Sequence, residues 1–172
     1  MLTASQIKEE VFNKNIIINP FDESKLNPNS YNLSLSKHLL IYENEVLDSK
    51  QDNPTISIDI PKEGFTLKKG ELYLGSTIER TTVKNLIPVL NGRSSIGRLG
   101  LFIHVSAGFG DIGFDGTWTL ELYPTKDIIV YEGMRICQIC FHKPDGLINS
   151  TYKSKYQGQV LPTKSRLFTE YR

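Results

Sequence analysis

Cysteine is scarce in this chain: Cys137 and Cys140 are the only two in 172 residues. That excludes a disulfide scaffold. Their spacing fits a metal or redox pair, but no second pair and no cysteine–histidine set at zinc spacing accompanies them. The context MRICQICF reads instead as a buried strand with ordinary core thiols. Excess charge of either sign is also lacking. Twenty Lys and Arg stand against 19 Asp and Glu, a net charge of +1, which gives no field for duplex nucleic acid or an anionic membrane. Any phosphate binding must come from a local cluster of donors. No apolar run approaches the roughly 20 residues of a bilayer span. The opening MLTASQIKEEVFNKN has no apolar stretch of a secretion signal, so a cytoplasmic location is expected.

What is present is ordinary for one globular domain: 39% hydrophobic and 23% charged residues, with a chain long enough to bury a core. Ser5 to Phe12 predicts one short helix, with Ser5 as N-cap and Ile7, Val11 and Phe12 at helical spacing. Ile16–Ile18 is a β-branched strand ended by Asn19-Pro20. Alternation then marks Tyr31, Leu33 and Leu35. Thr55–Ile60, Phe65–Leu67, Glu71–Ile78, Leu86–Leu90, Leu101–Val105, Thr117–Tyr123, Ile128–Tyr131 and Arg135–His142 follow as short strands between turn signals. This predicts a mainly β fold, a sandwich or barrel, with a short N-terminal helix. Residues 1–149 form the domain, with residues 86–141 as its candidate binding core. Residues 150–172 form a polar, basic tail with little apolar content to anchor it.

The chemistry concentrates between Asn91 and Glu121. Asn-Gly-Arg-Ser-Ser-Ile-Gly-Arg sets arginines and serines among glycines: guanidinium clamps phosphate, hydroxyls add short hydrogen bonds, and glycine admits a close ligand. For Arg93-Ser94-Ser95 alone, a polar turn with solvated arginines is the plainer account. Ile96–Leu99 is expected as a short helix whose first turn could hold an anion. His104 to Gly116 holds four glycines and two aspartates, a conformationally demanding loop. Within it Asp111 could accept from a sugar hydroxyl or hold a metal-bound water, and Asp115 before Gly116 looks like a hairpin turn. Glu121 sits in the strand TWTLELY with Leu120 and Leu122 on the opposite face. The pattern alone leaves open whether Glu121 faces solvent or lines a pocket.

The segment NGRSSIGRLGLFIHVSAGFGDIGFDGTWTLELY resembles the core motif of the deoxycytidine triphosphate deaminase and dUTPase superfamily. KYQGQVLPTKS resembles that family's nucleotide-closing tail, and NPNSYNLSLS its N-terminal strand. The resemblance implies a dUTPase-like distorted β-barrel or jelly-roll, a flexible tail and a homotrimer. It implies phosphate binding by Arg93, Ser94, Ser95 and Arg98, sugar binding by Asp111, and base contacts from Thr119, Leu120 and Glu121. Gln138, Tyr152, Lys155 and Gln159 match nucleotide-binding positions, although the spacing from Tyr152 to Lys155 is shorter than the family usually shows. Glu121 is the implied catalytic carboxylate, working with Ser94, Arg98 and a water held near the Ala107 carbonyl.

Zinc is not expected. Zinc-dependent nucleobase deaminases carry an H-x-E and a P-C-x-x-C, and Cys137-Gln-Ile-Cys140 lacks the preceding proline. Magnesium is expected to come bound to the triphosphate. Ala107-Gly108-Phe109 resembles members that carry dCTP through to dUMP, where dUTP-forming members have histidine after the alanine. Gly110 in place of isoleucine and Ser106 in place of threonine depart from that pattern. The implied ligands are dCTP and dUTP as substrates and dTTP as an inhibitor, with no nucleic acid or membrane partner. Three other readings stand beside it: a deaminase stopping at dUTP, a plain dUTPase, which would generally lack Glu121, and a non-catalytic binding module, which would have no need of Ser94, Arg98 and Glu121 together.

Overall fold

The computed structural model describes residues 1–104 and 106–171. Val105, the expected last residue of one strand, and Arg172 of the tail lie outside the described residues. Helix α1 spans Ala4–Phe12. Its N-cap is Thr3, two residues before the serine expected from the sequence: the Thr3 main-chain N–H donates to Gln6 Oε1 at 3.0 Å, so a glutamine three residues on completes the cap. Ile7 is buried, whereas Phe12 points to solvent.

The strands are short. In chain order they begin with β1 (Ile16–Asn19), β2 (Leu26–Asn27), β3 (Ser30–Ser34), β4 (His38–Tyr42) and β5 (Thr55–Asp59). β6 (Phe65–Leu67), β7 (Tyr73–Ser76), β8 (Arg80–Val83) and β9 (Ile87–Gly92) follow. After the single turn α2 (Ser94–Gly97) come β10 (Leu101–Ile103), β11 (Asp115–Gly116), β12 (Thr119–Pro124), β13 (Ile128–Val130) and β14 (Arg135–His142). They pair antiparallel into four sheets, ordered β1-β8-β11, β10-β12-β7-β4-β5, β13-β6 and β2-β3-β14-β9. Neighbours in these sheets are mostly distant in sequence, the mark of a jelly-roll rather than a meander. Among the described residues, no helix is long and apolar enough to cross a membrane.

The core is the shared inner face of these sheets, where Tyr31, Leu33, Leu39, Leu101, Leu120, Leu122 and Phe141 are fully enclosed. Cys137 and Cys140 are buried free thiols in β14. Burial pushes both above the ordinary thiol value, and the Glu79 charge adds to the effect on Cys137. Glu79 itself is fully enclosed. It pairs with Lys25 at 2.5 Å and accepts from the Ser34 N–H at 2.8 Å, so a charge that could not be buried alone ties β3 to the turn before β8.

Three expectations change. Glu71–Ile78 is shorter, ending as β7 at Ser76, and a separate strand β8 follows. The short helix begins at Ser94 and ends at Gly97, capped by Arg93, rather than spanning Ile96–Leu99. Asp115 is not a hairpin turn. It pairs with Thr82 of β8 and accepts from Arg80 Nε and Nη2 at 2.9 and 2.7 Å. This bidentate ion pair, with the Thr82 hydroxyl at 2.8 Å, holds the Asp115 carboxyl below the usual carboxylate range.

Candidate active site

Strand β12 resolves the question of which way Glu121 faces. Leu120 and Leu122 are completely buried, so alternation turns Thr119 and Glu121 to the other side of the sheet. There they line a cavity of about 540 Å³ together with His104, Ala107, Phe109, Asp111, Tyr152 and Gln159. Residues from the loop, the strand and the tail, as much as 55 positions apart in the chain (His104 to Gln159), thus meet in one cavity. Leu120 differs from expectation: its side chain belongs to the core, and only its main chain is near the site.

The edge of β12 is open at one residue. Odd-numbered residues of this strand turn their N–H and C=O away from β7. At Glu121 the carbonyl accepts from the His104 N–H at 3.0 Å. At Thr117 the N–H donates to the Gln159 carbonyl at 2.9 Å, and Gln159 Nε2 donates back to the Thr117 carbonyl at 2.8 Å. Between them, the main-chain groups of Thr119 have no partner among the described residues. The Thr119 hydroxyl accepts from the Thr163 N–H at 3.0 Å.

His104 was not singled out by its sequence. Its side chain is only 9% exposed, and its Nδ1 lies 2.6 Å from Glu121 Oε2. The approach is close but misaligned, so neither buried atom gains a proper hydrogen bond. The residue also takes a positive φ of 54°, unusual for a side chain with a Cβ. The β10–β12 pairing, with Ile103 opposite Leu122, sets His104 next along the register opposite Glu121, a cross-strand relationship invisible in composition or periodicity.

The arginine–serine segment sits elsewhere. Arg93 and Ser94 line a second hollow of about 390 Å³, with Asn91, Gly92 and Gly97; His104 is common to both. Arg93 Nη1 donates to the Arg135 carbonyl at 2.8 Å. Ser94 and Ser95 on α2 and Arg98 just after it are exposed, and their side chains find no partner among the described residues. Gln138 accepts from the Ser30 hydroxyl at 3.0 Å and donates to the Gly92 carbonyl at 3.2 Å. It braces the strand end that carries Arg93. Asp111, exposed on the rim of the larger cavity, has no side-chain partner among the described residues.

Gly108 is required by close approach and not by an unusual φ. Its carbonyl accepts from the Leu90 N–H at 2.6 Å, and a Cβ there would stand 2.4 Å from the Leu90 carbonyl oxygen. Phe109 bridges to Val89 beside it and is 69% exposed. The loop therefore meets the edge of β9 through a single bridge.

The tail is seated by hydrogen bonds on residues 112–119 of the same chain. Tyr152 N–H donates to the Ile112 carbonyl at 2.7 Å and Gly158 N–H to the Asp115 carbonyl at 2.8 Å. Gln157 Nε2 donates to the Gly113 carbonyl at 2.9 Å, and its Oε1 accepts from the Asp115 N–H at 3.1 Å. A Cβ on Gly116 would stand 2.8 Å from the Gln159 carbonyl, so glycine lets the tail lie flush. Tyr152 packs edge-on against Phe114. Lys155 pairs with Glu170 of the tail's own end, which raises its ammonium above the ordinary lysine value. It does not line the cavity.

The family model for dCTP deaminase-like proteins matches residues 1–144. Similar proteins include the "dCTP deaminase, dUMP-forming" of Clostridium beijerinckii, 54% identical over 171 residues that cover 99% of this chain and 98% of that protein. The protein of the same description from Hathewaya histolytica is 50% identical, with 99% of each chain covered. Among solved structures, the 2′-deoxycytidine 5′-triphosphate deaminase of Agrobacterium tumefaciens matches 86% of this chain with a TM-score of 0.66 at 21% identity. The match spans about half of that longer chain, 49%, and bears on the fold alone.

Proposed function

The chain belongs to the dCTP deaminase-like family, and from that membership we propose that it deaminates dCTP and carries the product on to dUMP, with Glu121 as the catalytic carboxylate. The observation that carries the assignment is the position of Glu121: a carboxylate on the strand face opposite the buried Leu120 and Leu122, turned into an open cavity beside Asp111 and Thr119.

In the first step Glu121 takes a proton from a water as the oxygen attacks C4 of cytosine. The carboxylic acid so formed gives that proton to the ring nitrogen; the remaining proton of the attached oxygen then passes by way of Glu121 to the amine, and as C4=O forms the C4–N4 bond breaks to give dUTP and ammonia. The main-chain N–H and C=O of Thr119 present one donor and one acceptor to the base edge. Asp111 stands where it could accept from the sugar hydroxyl. In the second step water attacks the α-phosphorus and diphosphate leaves, giving dUMP. Magnesium enters as part of the nucleotide substrate. Among the described residues, no group of three or more His, Cys, Asp or Glu is placed to hold a metal; Asp111, on the cavity's rim, is the residue that would meet a water of the nucleotide-bound ion.

The phosphate donors argue for assembly. Arg93, Ser94 and Arg98 lie outside the cavity of their own chain's Glu121, with unengaged side chains at Ser94 and Arg98. A homotrimer lets one copy offer this segment to the cavity of its neighbour. Mixing Glu121→Gln protein with Arg98→Ala protein then restores part of the activity that each lacks, and a stable, active monomer in light scattering overturns the assembly. For the reaction itself, product analysis after incubation with dCTP and magnesium is decisive: ammonia with dUMP and diphosphate is expected. Accumulated dUTP would leave a deaminase alone, and diphosphate from dUTP without ammonia from dCTP would leave a dUTPase.

A further inference from the structure

Beyond Gln159 the tail makes a second set of contacts, far from its seat on residues 112–117. From Thr119 on β12 it crosses the outer face of the sheet past β7 to β4, where the Ser165 N–H donates to the Tyr42 hydroxyl at 2.9 Å. Lys164 then reaches the loop joining β4 and β5. Its ammonium lies 2.8 Å from Asp52 Oδ1 and 3.1 Å from the Asn53 carbonyl. At the far end, the Lys50 ammonium stands 5.3 Å over the ring of Tyr171.

That loop is built to present these groups. Asn53 Nδ2 donates to the carbonyls of Asp48 and Gln51 at 2.8 and 3.1 Å, and its Oδ1 accepts from the Asp48 N–H at 3.0 Å. Asp48 Oδ1 in turn accepts from the Lys50 N–H at 2.9 Å. The side chains of Asp48 and Asn53 are spent on holding the loop's own shape. What remains outward is the Asp52 carboxylate and the Asn53 carbonyl, two acceptors converging on one ammonium. Tyr42, Leu47, Thr163 and Ser165 also line the cavity that holds Glu121, so this meeting point closes the cavity's far wall.

We propose that the β4–β5 loop is a clasp for the tail, with Tyr42, Asp52 and Lys164 as positioning residues that hold the closed state over the nucleotide. The proposal rests on the functional reading above for the identity of that nucleotide. The physical reason is anchorage at both ends. The tail has little apolar surface; its seat fixes the part up to Gln159, and beyond it Arg166 and Glu170 turn back onto Tyr156 and Lys155 of the tail itself, leaving residues 160–165 as the span between. Without the β4–β5 hold, residues 160–165 would be a loop tied to the sheet at Thr163 alone, and the nucleotide would bear the ordering cost of closing it.

Hydrogen exchange on the full-length protein without nucleotide tests the clasp directly, using Asp52→Asn, Tyr42→Phe, Lys164→Met and the charge-exchanged pair Asp52→Lys with Lys164→Asp. Each single variant should speed exchange at the Thr163 and Ser165 amides about 2- to 5-fold, the range for partly exposed single contacts. KM for dCTP should rise by a similar factor while kcat for ammonia release holds, and the exchanged pair should return toward the parent in both. Parent-like protection and parent-like KM in every variant overturn the clasp. An unsubstituted protein that does not turn over dCTP would instead overturn the functional reading, with the exchange measurement still deciding the clasp.

Discussion

His104 Nδ1 lies 2.6 Å from Glu121 Oε2, across a gap made by a left-handed backbone at His104. The ring fills the space between the two hollows of the chain and bounds the movement of the carboxylate on one side. Neither atom is aligned for a hydrogen bond, so the pair constrains position more than it shares a proton in this arrangement.

Glu121→Gln keeps the shape of the side chain and removes the proton acceptor. Deamination should fall by about 10²–10⁴-fold or more, with nucleotide binding retained. Ammonia release measured beside a nucleotide-binding titration checks this, and near-parent ammonia release would remove Glu121 from the centre of the mechanism.

Asparagine tolerates a left-handed backbone and is too short to reach the carboxylate. His104→Asn should therefore fold normally and lower kcat for ammonia release by about 10²-fold, the scale of a small misplacement at a reacting group, with KM little changed. An unchanged kcat would make the ring a bystander.

Gly108→Ala sets a methyl against the Leu90 carbonyl and pushes the loop off β9. Overpacking of this kind costs roughly 1–3 kcal/mol. Chemical denaturation should register the loss, and ammonia and diphosphate should fall together. A selective loss of diphosphate would give Gly108 a direct part in the second step.

Lys25→Met leaves the Glu79 carboxylate enclosed without its cation. Unfolding free energy should drop by about 3–5 kcal/mol, and the added change Glu79→Leu should recover part of it. Denaturant titration of the three proteins decides whether the pair is held by mutual need.

Asp115 supplies a pH dependence. Its folded pKa is depressed by Arg80 first and Thr82 after it, so its stabilisation is present above the ordinary aspartate value and is lost as pH falls through the lowered folded value. Thermal unfolding of Asp115→Asn should match the parent at strongly acidic pH and fall below it near neutrality. A constant difference across the acid range would show that the ion pair is not its source.

The local pattern of the chain determined a great deal. Alternation located most of the strands, α1 was predicted to within a residue or two, and Leu120 and Leu122 were rightly set opposite Glu121, because side-chain periodicity follows from backbone geometry within one element. Resemblance carried the list of candidate residues. What pattern could not decide was which outer face lines a cavity, since that depends on strands far apart in sequence meeting across β12, β7 and β4. Nor could it find His104, whose approach to Glu121 depends on the pairing of β10 with β12, or the pairing of Asp115 with Arg80 on β8, a strand the pattern does not mark. It also could not separate the Arg93–Ser94 hollow from the Glu121 cavity, although fewer than thirty residues divide them. Those relationships are set by where the folded sheets place their edges, a property that no single segment holds alone.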